Sequence, residues 1–225
     1  MIMHLSQRTI DLLTNFSNIN NSIYVRNGSV LSTISVTNNI YAKANITEEF
    51  PISFAIYDLH EFLVGLRVWD RPDVDFGNTS YVTMSSGRSK VKYFFADPDV
   101  VVKPPDKGLN IPNYNFSFNL DSEHFGNLRK LAAIYNLPDL CVETDSNGDV
   151  SLVIKDKENE TSNAVTHHVG TSETPFSFNF KVENLKLIPS SYTVELSTKA
   201  ARFVEAETQD LEYFIALEPD SKYGV

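Results

Sequence analysis

A short apolar strand that leads directly into an amphipathic helix occurs four times along this chain. The four copies are residues 2–5 leading into 6–13, 51–56 into 57–63, 115–120 into 121–125, and 175–180 into 181–185. The first and third copies lie about half a chain apart, and so do the second and fourth, which indicates one unit duplicated twice. This repetition constrains the fold more than any local pattern does. A repeated scaffold also favours a function that depends on shape and assembly.

Strand patterns separated by turn residues fill the sequence between the copies, which predicts large antiparallel sheets. Asn27-Gly28, between residues 22–26 and 29–36, predicts a β-hairpin. Further strands are predicted at residues 40–46, 73–76, 81–84, 90–95, 140–144, 150–155, 164–169, 192–197, 202–208 and 211–217. Helices are predicted at residues 6–16, 58–71, 121–135 and 181–188. Each helix has one apolar stripe, so each is expected to pack on a sheet and to present its other face outward. The predicted class is α+β.

Residues 96–112 break this periodicity with four prolines and one glycine, and we interpret them as an extended connector. The predicted organisation is therefore an N-terminal domain at residues 1–96, a connector at 97–112 and a C-terminal domain at 113–225. The connector also carries Val100, Val101, Val102, Leu109 and Ile111. These side chains either cover the junction of the two halves or also line a docking groove.

Composition limits the class of protein. An apolar content of 42% is that of a globular chain, and no run approaches the ~20 apolar residues that span a bilayer. The sequence has no signal-peptide pattern at its N-terminus, and its single cysteine, Cys141, excludes an internal disulfide. These features predict a cytosolic protein without a membrane partner.

The net charge of −10 by itself argues against an ordinary DNA-binding domain, whose surface is basic. The charge is unevenly distributed, however. The four predicted helices carry seven basic and seven acidic residues, so all of the net negative charge lies outside them. Either the helices form a less acidic surface that serves a function, or they mix basic and acidic residues as solvated helices commonly do.

The sequence contains no recognisable catalytic or metal-binding constellation. His167 and His168 are adjacent on a predicted strand and point to opposite faces, so they are not expected to share one metal ion. Residues 145–149 have the glycine of a calcium loop in the wrong place, and we interpret them as a turn. Cys141 has no basic neighbour in the sequence that would activate it. We therefore predict a protein that is not an enzyme and has no catalytic residues, no metal and no cofactor.

Taken together, the repeated units resemble the DNA sliding clamps, and most closely those of T-even-type bacteriophages, within the PCNA-like superfamily. The residues that carry the resemblance lie in the opening segment 5–16, in 54–63, in 96–102 and in the tail 214–221. The resemblance runs the full length of the chain and is strongest in the first hundred residues and the last strand. It implies the DNA-clamp fold, in which each of two similar domains is a duplicated β-α-β-β-β unit, with sheets outside and helices lining a ring.

The resemblance also implies a function. Such a protein is a polymerase processivity factor, and a two-domain chain implies a homotrimer closed by head-to-tail contacts. Residues 90–95 of one subunit are expected beside residues 163–169 of the next, because exposed strand edges pair with other chains. The implied partners are double-stranded DNA without sequence preference, the replicative DNA polymerase, an ATP-dependent clamp loader and a sigma-like factor of viral late transcription. The implied location is the cytoplasm of the host cell.

Two sets of residues are expected to serve these partners. The basic residues of the helices are the candidates for facing DNA phosphates, or else they serve only surface solubility: Arg8, Arg67, Arg71, Arg129, Lys130, Lys181 and Lys186. A groove beside the connector is expected to receive peptide tails of partners, unless the same apolar residues pack within the molecule. Its predicted walls are Val101, Val102, Leu109, Ile111 and Pro219.

Two other classes of protein stay open at this point. A repeated sheet scaffold also suits a protein that binds a small ligand, and an acidic, strand-rich, self-assembling chain also suits a structural virion protein. The mass in solution distinguishes them, since a trimer, a monomer with a deep pocket and a large shell differ in size.

Overall fold

The computed structural model describes residues 2–224, which divide into two compact units, the first ending at Gly108 and the second beginning at Leu109. Each unit contains the order strand, helix, three strands twice, except that in the second unit a single 3-10 turn takes the place of the last helix. The duplicated β-α-β-β-β unit predicted from the sequence is therefore confirmed.

The first unit contains eight strands and two helices among the described residues. They are β1 (Ile2–Met3), α1 (Gln7–Ile19), β2 (Ile23–Val25), β3 (Gly28–Ile34), β4 (Ile40–Phe50), β5 (Phe54–Ile56), α2 (Leu59–Arg67), β6 (Asp73–Asp75), β7 (Tyr81–Ser86) and β8 (Ser89–Phe94). A 3-10 turn, Pro98–Val100, follows.

The second unit contains nine strands and one α-helix among the described residues. They are β9 (Phe116–Leu120), α3 (Ser122–Tyr135), β10 (Asp139–Thr144), β11 (Asp149–Lys155), β12 (Val165–Thr171), β13 (Phe176–Lys181), a 3-10 turn (Val182–Asn184), β14 (Tyr192–Leu196), β15 (Ala200–Glu205), β16 (Leu211–Ala216) and β17 (Lys222–Tyr223).

Within each unit, the two copies of the repeat exchange their first strands. The strand before each helix pairs, antiparallel, with the strand that follows the other copy's helix: β1 with β6, β5 with β2, β9 with β14 and β13 with β10. The exchange builds the orders β1-β6-β7-β8 in the first unit and β12-β11-β10-β13-β17 in the second. Because each copy completes the other's sheet, neither copy is a separate folding unit.

Aromatic and aliphatic side chains form the core of each unit. In the first, Phe16, Phe50 and Phe62 are almost completely buried, and Phe50 packs edge-on against Phe54 with ring centroids 5.5 Å apart. In the second, Tyr192 and Tyr213 are buried with their rings 6.2 Å apart. Each such side chain contributes ~1.5–3 kcal/mol relative to an exposed one, so the core stabilises the strand pairing described above.

One predicted pairing is wrong. Residues 22–26 and 29–36 both form strands, but β2 pairs with β5 and β3 pairs with β4, so Asn27-Gly28 does not close a hairpin. The Asn27 amide group bridges to the far end of β4 instead, where its side-chain nitrogen donates to the carbonyl oxygen of Phe50 at 3.0 Å. Gly28 has φ +111°, a conformation that favours glycine, and it redirects the chain from one strand pair to the other.

The first three predicted helices are confirmed, with the ends of two of them moved. Side-chain caps define their starts: the hydroxyl of Ser6 accepts from Thr9 N, and the carboxylates of Asp58 and Asp121 accept from Glu61 N and His124 N. The first helix continues to Ile19, three residues beyond its predicted end. The second helix ends at Arg67, four residues before the predicted end at Arg71. None of the helices that the structure describes is both long and apolar enough to cross a bilayer.

The fourth predicted helix, at residues 181–188, is not formed. Strand β13 continues through Lys181, and only one 3-10 turn follows before the chain becomes extended. Leu185 and Leu187 are both buried, an alternation that suits extended backbone and not a helix. Pro189 disfavours helical backbone at the residue before it. Too few residues therefore remain between Lys181 and Pro189 for a stable helix.

Candidate nucleic-acid interface

The two helices of the first unit pack against each other and hold two of the predicted basic residues outward. Leu12, Leu13 and Phe16 of α1 are buried, whereas Arg8 on its other side is exposed. Arg67 lies on the exposed side of α2, and its Nη2 donates a hydrogen bond to the hydroxyl of Thr14 on α1. The guanidinium of Arg67 therefore also links the two helices.

Glu48, near the end of β4, fixes the beginning of α1. Its carboxylate accepts hydrogen bonds from the backbone N–H of Ser6 and, at 2.7 Å, from the hydroxyl of Thr9. Burial by itself raises the pKa of Glu48, but these hydrogen bonds outweigh burial and hold the pKa below its ordinary value. Glu48 is therefore ionised near neutral pH, and its negative charge lies at the positive end of the α1 dipole.

Arg71 lies beyond the end of α2, not on the helix as predicted. It is exposed and has φ +48°, an uncommon conformation for a residue with a side chain. An open groove of ≈810 Å³ brings Arg71 together with Arg67, Gln7 and Trp69. Arg71 makes no hydrogen bond or ion pair within residues 2–224, so its positive charge is available to a ligand.

In the second unit, α3 presents Arg129 and Lys130 on its exposed side. Phe125, Leu128 and Ala132 form the buried stripe, and Asn136 ends the helix in the left-handed conformation at φ 52°. The guanidinium of Arg129 lies 5.6 Å from the centroid of the Phe125 ring, and Nη1 donates to the carbonyl oxygen of Leu187 at 3.3 Å. Lys130 is exposed and has no partner in the described part of the chain.

Lys181 and Lys186 line a second open groove, of ≈750 Å³, together with Arg129. Lys181 Nζ is 2.6 Å from Oδ1 of Asp139, whose side chain is only 1% exposed. This hydrogen bond raises the pKa of Lys181 against the opposing effect of burial. Lys181 therefore neutralises a buried carboxylate, a role that the sequence pattern did not reveal.

The predicted peptide-binding residues differ in their exposure. Val101 is only 7% exposed and so shows the intramolecular packing that the sequence left open, whereas Val102 is 37% exposed. Leu109 is 42% exposed, Ile111 is half-buried and Pro219 is exposed. Four of the five predicted walls thus have side-chain surface that a partner can reach.

Arg26, which no sequence pattern singled out, binds the first half of the connector. The Nη2 atom of Arg26 donates to the carbonyl oxygen of Pro104 at 2.8 Å and to Oδ1 of Asp106 at 2.6 Å. The partners are about 80 residues apart in the chain, so no local pattern predicts the contact.

Two exposed strands end their sheets: β8 in the first unit and β12 in the second. These are the strands that the sequence assigned to subunit contacts. Val91 and Phe94 of β8 are 43% and 67% exposed, which is a large apolar exposure for a sheet edge.

The cysteine, the adjacent histidines and the loop at residues 145–149, which the sequence raised as candidate reactive or metal sites, are in structural environments. Cys141 is fully buried, and burial raises the pKa of its thiol to about 11. The ring of His167 packs on that of His124, with centroids 4.4 Å apart, whereas His168 is exposed. Residues 145–149 form the predicted turn, in which Oδ1 of Asp145 accepts from Asn147 N and Asp149 N. The described residues include no group of three or more metal-binding side chains.

Comparison with known sequences identifies two matching families. A model described as DNA polymerase processivity factor matches residues 6–103, and one described as gp45 sliding clamp, C terminal, matches residues 117–219. The sliding clamp of Vibrio phage KVP40 is 32% identical over 96% of this chain and 99% of its own length. That of Escherichia phage RB69 is 28% identical over 98% and 99% of the two chains.

Solved structures show the same fold at low identity. The PCNA of A. fulgidus, solved with the C-terminal region of FEN-1 bound, superposes with a TM-score of 0.66 at 14% identity and covers 98% of both chains. The Pseudomonas aeruginosa DnaN sliding clamp superposes with a TM-score of 0.68 at 15% identity, over 97% of this chain and 65% of that one. The clamp fold predicted from the sequence is confirmed.

Proposed function

The chain belongs to the phage sliding clamps, a family of polymerase processivity factors, and from that premise we propose that three copies form a closed ring around duplex DNA. The ring tethers the replicative polymerase to its template and carries out no chemistry itself. The observation that carries this proposal is the match over nearly the whole of both chains to phage sliding clamps, combined with the β-α-β-β-β repeat, which is complete in three of its four copies.

The basic residues of the helices support a loose contact with DNA. Arg8, Arg67, Arg129 and Lys130 project from exposed helix faces, and Arg71 is exposed just beyond α2. The net charge of −10 disfavours adhesion of DNA to the rest of the surface. Phosphate contacts without base contacts carry no sequence information, which is the kind of binding that permits sliding.

Charge reversal on α3 tests this DNA contact. Arg129→Glu with Lys130→Glu should greatly reduce retention on nicked circular DNA at moderate salt after loading by an ATP-driven loader. Lys199→Glu with Lys222→Glu changes the net charge equally at exposed positions outside the helices, and it should leave retention near that of the unaltered protein. Equal retention by both double variants would contradict the DNA-facing assignment.

Ring closure is proposed to join β8 of one subunit to β12 of the next. This contact joins two different edges of the subunit, so it is a heterologous interface. Repeated heterologous contacts close a ring when the rotation between subunits permits. The exposed apolar side chains of Val91 and Phe94 supply an apolar surface at this edge.

Mass measurement and particle images test the ring directly. We expect a trimer with a central hole wide enough for duplex DNA. A monomer that binds a small ligand in a deep pocket would favour the ligand-binding class, and tubes or shells would favour a virion protein. Either result would overturn the clamp function.

Peptide tails of partners are proposed to bind along the exposed apolar residues of the connector, Val102, Leu109 and Ile111, with Pro219 of the tail. The A. fulgidus PCNA, which has the same fold, was solved with the C-terminal region of another protein bound, which supports the proposal that this chain also binds C-terminal peptides. The proposed users are the replicative polymerase, the clamp loader and a sigma-like factor of late transcription. Titration with a synthetic C-terminal peptide of the polymerase tests the site, since Val102→Asp with Ile111→Asp should abolish binding.

A further inference from the structure

The first half of the connector lies on the first unit with a three-residue periodicity. Val101 and Pro104 are buried, whereas Val102, Lys103 and Pro105 are exposed. A period of three is that of polyproline II backbone, which makes no hydrogen bonds of its own. Its conformation therefore depends on contacts made by other parts of the unit.

Arg26, just after β2, supplies the main polar contact. Its side chain is 29% exposed, and one nitrogen binds both the Pro104 carbonyl oxygen and the Asp106 carboxylate, at 2.8 and 2.6 Å. Asp106 itself is 91% exposed, so Arg26 and not burial holds it in place. Because proline has no N–H, a side-chain donor that reaches the Pro104 carbonyl is one of the few ways to fix this segment.

Tyr24 and Lys103 complete the attachment. The guanidinium of Arg26 and the ammonium of Lys103 lie 5.5 and 5.4 Å from the centroid of the Tyr24 ring, within the range of cation–π attraction. Lys103 Nζ also lies 3.0 Å from a carboxylate oxygen of Asp99. With Lys103 held in this way, its neighbour Val102 faces outward.

A turn ends the attached segment. Gly108 N donates to the Pro105 carbonyl oxygen at 3.0 Å, and Gly108 has φ +67°. Asp106 lies inside this turn, so the ion pair with Arg26 fixes the turn as well as the extended segment before it. The amide proton of Gly108 therefore reports whether the attachment is intact.

We propose that Arg26 is a positioning residue for partner peptides. By holding Pro104 and Asp106, it keeps the connector in one conformation with Val102 turned outward, although Arg26 itself makes no contact with the peptide. The occupant is the extended, apolar C-terminal peptide of a partner, so this inference rests on the peptide site proposed above. A segment that is already ordered binds more tightly because less conformational freedom is lost on binding.

The test compares Arg26→Ala, Arg26→Lys and Asp106→Ala in the full-length protein. The two readouts are the affinity for the synthetic C-terminal polymerase peptide and the hydrogen exchange rate of the Gly108 amide. Arg26→Ala should weaken affinity about three- to tenfold and speed exchange. Arg26→Lys and Asp106→Ala should fall in between, since each retains part of the attachment. Arg88→Ala, at an exposed turn in the same unit, is the matched control and should change neither readout.

The outcomes separate this inference from the peptide site itself. If the unaltered protein does not bind the peptide, the proposed site and the role of Arg26 are both wrong. If it binds, and Arg26→Ala speeds exchange without changing affinity, only the positioning role is overturned. Unchanged exchange in Arg26→Ala would show that Arg26 does not hold the connector. Affinity as low in Asp106→Ala as in Arg26→Ala would mean that the hydrogen bond to Pro104 contributes nothing, which would contradict the two-acceptor geometry.

Discussion

The two units have the same strand order and the same exchange of first strands, but they differ at the second helix. In the first unit α2 has nine residues and packs on α1, whereas the second unit has a three-residue 3-10 turn at the equivalent place. The exchanged pairs at this place are nevertheless equivalent, β5 with β2 and β13 with β10. The exchanged strands therefore define this fold, and the second helix of a unit can be lost without losing it.

Loss of the helix changes what the basic residues contact. In the first unit Arg67 contacts a side chain of the neighbouring helix. In the second, Arg129 binds a backbone carbonyl of the extended segment, and Lys181 is paired with buried Asp139. The second unit thus uses part of its positive charge to stabilise its own backbone.

The largest expected effect concerns the packing of α2. Phe62 is 2% exposed, and Phe62→Ala should lower the free energy of unfolding of the first unit by ~3–5 kcal/mol because it leaves a cavity. Val64 on the same helix is 65% exposed, so Val64→Ala should change it by no more than ~0.5 kcal/mol. Denaturant unfolding measures both. Equal effects would mean that α2 is as dispensable in the first unit as its counterpart is in the second.

The next largest effect comes from comparing one hydrogen-bonded carboxylate in each unit, Asp139 in the second and Glu48 in the first. Asp139→Asn weakens the contacts to Lys181 Nζ and to Lys157 N, and we expect a loss of ~1–3 kcal/mol. Glu48→Gln weakens the cap of α1 and should cost ~1 kcal/mol or less. Denaturant unfolding at neutral pH ranks the two variants. A larger loss for Glu48→Gln would contradict the expectation that the more deeply buried carboxylate, Asp139, contributes more to stability.

The two units should also differ in their response to acid. Burial first, and then repulsion from His124 and His168, lower the pKa of His167, while Asp121 opposes them. The unfolded chain therefore binds this proton more readily, so the second unit should lose stability as the pH falls below 6.5 towards the folded-state pKa. The lowered pKa of Glu48 stabilises the first unit above pH 4.5, and that stability is lost only as the pH falls through its folded-state pKa.

Amide hydrogen exchange in α3 and α1 from pH 7 down to about pH 3 resolves these two windows. His167→Asn should remove the upper window in the second unit, whereas His168→Asn, at the exposed neighbouring position, should largely retain it. Acid sensitivity that appears first in α1 would contradict this assignment.

Sequence patterns predicted the repeat, three of the four helices and nearly all strands, because apolar periodicity and capping residues are local. Ser6, Asp58 and Asp121 each mark a helix start correctly. Strand exchange could not be predicted in this way, since it pairs segments that lie about 30 to 80 residues apart, from β2 with β5 to β9 with β14. The false hairpin at Asn27-Gly28 has the same origin: the turn residues are local, but the partners of β2 and β3 are not.

The candidate site was only partly predictable for related reasons. Residue type identified the positive charges, but it could not show that Lys181 faces Asp139, 42 residues away in sequence. The absence of the fourth helix was detectable in principle. Leu185 and Leu187 are two residues apart, which is the apolar period of extended backbone, and Pro189 follows closely. Arg26 had no local signal at all.

The smallest expected effects on stability, and the sharpest comparison between the units, come from cations with and without partners. Arg71→Gln and Lys130→Gln remove charges that no other residue of the described chain contacts, so each should change the free energy of unfolding by less than ~0.5 kcal/mol. Each should still lower the slope of log DNA retention against log salt by ~0.9, since one phosphate contact is lost. Lys181→Gln should do the reverse, destabilising the second unit with little change in slope, because its charge is already neutralised by Asp139. If all three variants changed the slope equally, the partners seen in the structure would not determine which cations reach DNA.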